Sequence, residues 1–150
     1  MTNVLKINTD GGARGNPGPS ASAFVVTCEN KIIYTGSKYL GKTTNNIAEY
    51  TAVVLAVNWL KENYAKHNCD KVAFYLDSEL VVKQLNGTYK IKNKELIKLS
   101  TEVKSLINDL PIAVSFNFVY REENKEADGL VNKEIDENTV QFHVAPSGTS

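Results

Sequence analysis

The chain has 150 residues, 42% of them hydrophobic, and its 17 basic residues balance 17 acidic ones to a net charge of zero. That length fits one domain, 1–150, with a core of its own, and neutrality excludes a broadly basic surface for coating nucleic acid. No apolar run approaches the ~18 residues of a membrane span, no solenoid repeat recurs, and residues 1–6 lack a charged leader ahead of an apolar stretch; a cytoplasmic monomer is expected.

Residues 4–10 alternate through Leu5, Ile7 and Thr9 and read as a first strand that ends on Asp10. The run 11–19 reads as a loop whose glycines let backbone amides approach whatever Asp10 holds. Residues 21–28 and 31–37 read as two more strands joined by a hairpin at Glu29-Asn30, so the sheet starts antiparallel. After the polar segment Gly41-Lys42-Thr43-Thr44, the residues Ile47, Val54, Leu55, Val57 and Leu60, with alanines at 48, 52 and 56, form a 3.6-residue stripe reaching about residue 64. Glu49 lies early in this helix, three residues after Asn46, a spacing that also fits a capping box.

Residues 71–76 read as a fourth strand, reached from a helix and so parallel to the first. Asp77 follows it, with an ordinary helix N-cap as its local alternative, and the short helix 79–85 is closed by Asn86-Gly87. Residues 95–110 carry the stripe Leu96, Leu99, Val103, Leu106 and Leu110 up to Pro111. A fifth strand over 112–119 and a last helix over 124–137, with Asp128 near its start, complete a core of about 4–137. Residues 138–150 read as a tail in which Val140, Phe142 and Val144 alternate with polar residues. Three meandering strands followed by alternating helices and strands predict an α/β fold with a five-stranded mixed sheet flanked by helices.

Charge is uneven along the chain. Residues 83–104 hold six lysines (Lys83, Lys90, Lys92, Lys94, Lys98, Lys104) against Glu95 and Glu102, a local balance of +4. Lysines there suit a polyanion, while Asp10, Glu49, Asp77 and Asp128, each at an element end, suit a divalent metal. Cys28 and Cys69 are too few and too far apart for a zinc knuckle or redox pair, and reduced thiols are expected.

Four segments, taken together, resemble ribonuclease H of type 1. They are Thr9-Asp10-Gly11-Gly12 with Gly15-Asn16-Pro17-Gly18; Thr44-Asn45-Asn46-Ile47-Ala48-Glu49-Tyr50; Leu76-Asp77-Ser78 with Gln84-Leu85-Asn86-Gly87; and Arg121-Glu122-Glu123-Asn124-Lys125-Glu126-Ala127-Asp128. The resemblance implies the ribonuclease H-like fold and an endonuclease that hydrolyses the RNA strand of RNA/DNA hybrids, leaving 5′-phosphate and 3′-hydroxyl ends. It also implies two Mg²⁺ ions, replaceable by Mn²⁺, held by Asp10, Glu49, Asp77 and Asp128. Asp10 would bridge both, Glu49 and Asp77 would hold the ion on the leaving-group side, and Asp128 the ion that activates water. Such hydrolysis adds negative charge to an anionic group, which is why cations and hard oxygen ligands are needed. Four clustered acids repel one another, so at least one should titrate high without metal.

The same resemblance implies that the amides of Gly11, Gly12 and their neighbours to residue 15, with Asn16, Asn45, Asn46 and Glu49, lie where ribose 2′-hydroxyls are read. Ser78, residues 90–94, Arg14 and Arg121 would meet phosphates. Many family members carry a histidine in the loop before the last acid; Tyr120-Arg121-Glu122-Glu123-Asn124 has none, and Arg121, always protonated, cannot serve as a general acid. Gly129 costs its helix ~1 kcal/mol and is expected to loosen Asp128. A nucleic-acid-binding module with a damaged site would lack one of the acids, and an integrase or resolvase would lack the Asn45-Asn46-x-x-Glu49 element. Whether double-stranded RNA is also cut stays open.

Overall fold

A computed structural model describes residues 3–139; the alternation at Val140, Phe142 and Val144 lies outside the described residues. Strands β1 (Asn3–Ala13), β2 (Gly18–Cys28) and β3 (Lys31–Thr43) form the expected meander. Helix α1 (Asn45–Asn63), strand β4 (Cys69–Leu76), helices α2 (Glu79–Leu85) and α3 (Lys94–Asn108), strand β5 (Ala113–Phe118), a 3-10 turn (Arg121–Glu123) and helix α4 (Lys125–Thr139) follow. The sheet order is β3-β2-β1-β4-β5. β1 pairs antiparallel with β2 and parallel with β4, which puts the chain's first strand at the centre.

Alternation along β1 and β2 sorts residues between two cores. Leu5, Ile7, Phe24 and Val26 face α1, where they are buried with Val53, Val57, Leu60, Val72, Phe74 and Val103. Ala21 and Ala23 face the other way, and their small side chains let α4 lie close on β2 through Val131 and Ile135. Helix α4 runs unbroken through Gly129. No helix among the described residues is long and apolar enough to cross a membrane. Cys28 and Cys69 are both free thiols.

Three boundaries differ from the sequence reading by three residues or more. β1 extends past Asp10 to Ala13 and β2 begins at Gly18, so half of the expected 11–19 loop is ladder: Gly11 pairs Ser22, Gly12 pairs Ala21 and Ala13 pairs Ser20. β3 likewise continues six residues beyond 37, to Thr43. Glycine, serine and alanine have little strand preference of their own, and here the partner strand supplies it.

Candidate active site

The centre of the site is made by a close approach of α1 to β1. On the α1 face of the sheet, Gly11 and Ser22 stand opposite each other. A Cβ on Gly11 would lie 2.2 Å from the Ala48 carbonyl carbon and oxygen and 2.5 Å from the Glu49 nitrogen, so only glycine admits the helix here. The Ser22 hydroxyl donates to the Ala48 carbonyl at 2.6 Å and holds it there. Glu49 is thereby carried over the end of β1, where its Oε1 accepts from the Gly11 amide at 3.2 Å. Glu49 does not form the capping box its spacing allows; Thr44 caps α1, its hydroxyl accepting from the Ile47 amide.

Asp10 and Glu49 are 6% and 7% exposed, and Asp77, just beyond β4, is half-buried. One carboxylate oxygen from each of the three lies within 4.8 Å of the others. Asp77 is likewise freed from a capping role, because Ser78 is the N-cap of α2 and accepts from the Val81 amide. Asp128, in the first turn of α4, lines the same cleft of about 530 Å³ but stands outside that tight trio.

Burial, more than any other cause, pushes the Asp10 carboxyl up to about 7; the charge of Asp77 adds to it, and hydrogen bonds with Glu49 and the Gly11 amide oppose it. Burial raises Glu49 well above the usual carboxylate range too, and the charge of Asp10 adds to that. Without a cation the trio therefore retains a proton near neutral pH. The fit to a divalent ion is direct: Glu49 Oε2 is buried and has no hydrogen-bond partner among the described residues. A buried, unpaired oxygen on a carboxylate grouped with two others is costly unless a cation completes it. An all-oxygen, anionic donor set suits hard divalent cations.

Of the residues expected to meet substrate, Gly11, Gly12, Arg14, Asn45, Asn46, Ser78 and Arg121 all line this cleft. Asn16 is not among the lining residues; its Oδ1 accepts from the Asn45 amide at 2.9 Å. Several backbone amides expected to face a ligand are committed within the protein. Gly11 donates to Glu49, Ala13 to the Asn45 side chain at 2.8 Å, and Arg14 to the Pro19 carbonyl at 2.9 Å. The Arg14 guanidinium is bound to α4, donating to Asp136 and, at 3.3 Å, to the carbonyl and side chain of Asn132. Gly12 is different from Gly11: its would-be Cβ meets nothing nearer than 3.8 Å, so its value is access rather than fit.

Asn124 stands in the fourth motif, but the sequence alone assigns it no role in the site. It is 1% exposed and its side chain touches β1, Asp77 and Asn8 at once. Apart from its place in that motif, an asparagine four residues before Asp128 reads locally as an ordinary helix start.

A mixed sheet of this order, with Asp10 on its central strand, Asp77 just beyond the parallel neighbour β4 and Glu49 early in α1 brought together, defines a ribonuclease H-like protein with a centre fit for divalent metal. The family model described as reverse transcriptase-like matches residues 8–134. The crystal structure of LC11-RNase H1 in complex with RNA/DNA hybrid superposes with a TM-score of 0.84 at 38% identity, covering 89% of this chain and 98% of that one. A bifunctional protein of Mycobacterium tuberculosis is 34% identical over 132 residues, 87% of this chain and 35% of its own length. The ribonuclease HI of Halobacterium salinarum is 34% identical over 129 residues, 85% of this chain and 62% of its own. The chain thus spans about a third of the mycobacterial relative's length and under two thirds of the archaeal one's. This chain belongs to the ribonuclease HI family.

Proposed function

We propose that the protein is a metal-dependent endoribonuclease that hydrolyses the RNA strand of RNA/DNA hybrids and leaves 5′-phosphate and 3′-hydroxyl ends. The observation that carries this reading is the convergence of Asp10, Glu49 and Asp77 within 4.8 Å, with Glu49 Oε2 buried and unpaired. Two Mg²⁺ ions, or Mn²⁺ in their place, would neutralise the phosphate and lower the pKa of the attacking water. Asp10, Glu49, Asp77 and Asp128 would hold them. The burial that makes Asp10 and Glu49 reluctant to ionise also makes them strong ligands, since a cation relieves their mutual repulsion in a poorly solvated place.

The remaining residues bind and orient. Asn45 and Asn46, in the first turn of α1, and Gly12, on β1, bring hydrogen-bonding groups to the cleft wall where a ribose 2′-hydroxyl can be read. Ser78 and Arg121 line the same cleft, where they could hold a phosphate. Lys90 and Lys92, exposed on the connector into α3, and Lys94, exposed at its first residue, supply attraction for a second backbone. This reading accords with a family relative whose structure holds an RNA/DNA hybrid.

The test is a gel assay of end-labelled hybrid with Mg²⁺, Mn²⁺ or EDTA, beside double-stranded RNA, double-stranded DNA and Asp10→Asn. Cutting of the RNA strand only with metal, and lost in Asp10→Asn, is the expected outcome; the double-stranded RNA lane sets the breadth of substrate. Intact hybrid with every metal, in a folded protein that still binds it, overturns the reading.

A further inference from the structure

We infer that Asn124 is the positioning residue of the metal centre: its side-chain amide fixes one oxygen of Asp77 and ties that carboxylate to the strand carrying Asp10, leaving the second oxygen for a cation. The inference deepens the proposed metal-dependent function and rests on it.

Three hydrogen bonds converge on this one amide. Asn124 Nδ2 donates to the Thr9 carbonyl at 2.9 Å and to Asp77 Oδ2 at 3.0 Å, while its Oδ1 accepts from Asn8 Nδ2 at 3.0 Å. The chemistry dictates the orientation, because a backbone carbonyl and an ionised carboxylate can only accept, so the nitrogen must face both. Thr9 precedes Asp10 on β1, and the Asn124 carbonyl accepts from the amide of Asp128 at 3.1 Å. One residue therefore links the segments that carry Asp10, Asp77 and Asp128.

A carboxylate beyond the end of a strand has a broad χ2 well and two equivalent oxygens. A single neutral donor on one oxygen removes that freedom without bringing a positive charge that would compete with metal, as lysine or arginine would. Asn124 is itself immobile, buried between β1 and α4 with both amide hydrogens and its oxygen engaged. Such outer partners of metal ligands typically carry a 10–100-fold effect on metal affinity or activity.

The experiment measures Mn²⁺ binding by the loss of its free-ion spin-resonance signal, in full-length wild type, Asn124→Ala, Asn124→Ser, Asn8→Ala, Asp77→Asn and the Asn124→Ala/Asp77→Asn double variant, with thermal melts of each. Asn124→Ala is expected to weaken Mn²⁺ binding at least tenfold while hybrid binding in EDTA stays within about twofold. Cleavage by this variant should recover in part when Mg²⁺ is raised. Asn8→Ala, which leaves both donors of Asn124 in place, should bind Mn²⁺ as wild type does. In the Asp77→Asn background, removing the Asn124 amide should add little further loss, since the two residues act as one unit. Asn124→Ser carries the same comparison should Asn124→Ala fail to fold. Native Mn²⁺ affinity in a folded Asn124 variant overturns the inference, and so does an equal loss in Asn8→Ala. Wild type that binds no Mn²⁺ at all would instead overturn the proposed function.

Discussion

The acid end of the sheet and the lysine-bearing connector into α3 are both charged, and they are built on opposite principles. Asp10 and Glu49 are buried, each held by contacts to a different element, and their ionisation is suppressed by that burial. Lys90, Lys92 and Lys94 are exposed. The first region depends on geometry, where displacing one atom alters a whole cluster. The second depends on charge number, where each lysine contributes a similar, salt-screened share. Losses at the acids should therefore be steep and non-additive, and losses at the lysines shallow and additive.

The largest effect is expected from Asp10→Asn, which removes the central ligand of the trio. Cleavage of hybrid in Mg²⁺ should fall by about 10³-fold or more while the fold is kept, as judged by circular dichroism. Residual activity within about tenfold of wild type would mean that the trio is not the reacting centre.

Next is the contact that buries Glu49. Gly11→Ala forces a Cβ onto the Ala48 and Glu49 backbone and should cost about 3 kcal/mol of stability in urea unfolding, whereas Gly12→Ala, with ordinary clearance, should cost under about 1 kcal/mol. Equal costs at the two glycines would show that the close approach of α1 is not what the first glycine serves.

A smaller effect follows from the proton on the trio. Asp10 ionises near its ordinary 3.8 in the unfolded chain and near 7 in the folded one. Between those values the folded state binds more protons, so the stability of the metal-free protein falls as pH rises through that window. Asp10→Asn lacks this titration. In EDTA it should melt close to wild type near pH 4 and be more stable than wild type by about 2 kcal/mol at pH 8. Mg²⁺ should stabilise wild type and leave the variant's melting temperature nearly unchanged. A wild-type stability that stays flat from pH 4 to 8 in EDTA would refute the buried-acid account.

The smallest effect lies at the connector. Replacing Lys90, Lys92 and Lys94 together by alanine should weaken hybrid binding about tenfold near 0.1 M salt and make its logarithmic salt slope shallower by about 2 to 3. The rate at saturating hybrid should stay within about twofold. A collapse of that rate would place the lysines nearer the chemistry than the comparison allows.

Much of this was legible in the residues alone. The element order, the five-stranded mixed sheet and the four acids follow from periodicity, turn residues and the resemblance carried by four short motifs. Boundaries failed where an element borrows its conformation: Gly11 to Ala13 and the far half of β3 are strand because β2 pairs with them. The capping alternatives fell away for a related reason. Asn46 with Glu49, and Asp77 ahead of α2, satisfy local rules that the neighbouring hydroxyls of Thr44 and Ser78 actually fulfil.

The sequence by itself determined which acids are present, on which kind of element each stands, and which family the chain joins, because those depend on residue type and spacing within a few turns of chain. Only the tertiary structure decided how the acids are used. The Gly11 amide meets Glu49 across 38 residues, Asn124 reaches Asp77 across 47 and Thr9 across 115, and Arg14 turns to Asp136 across 122. Local pattern carries no information at such separations. Close packing decides which side chains meet, and burial then decides which of them keep their charge.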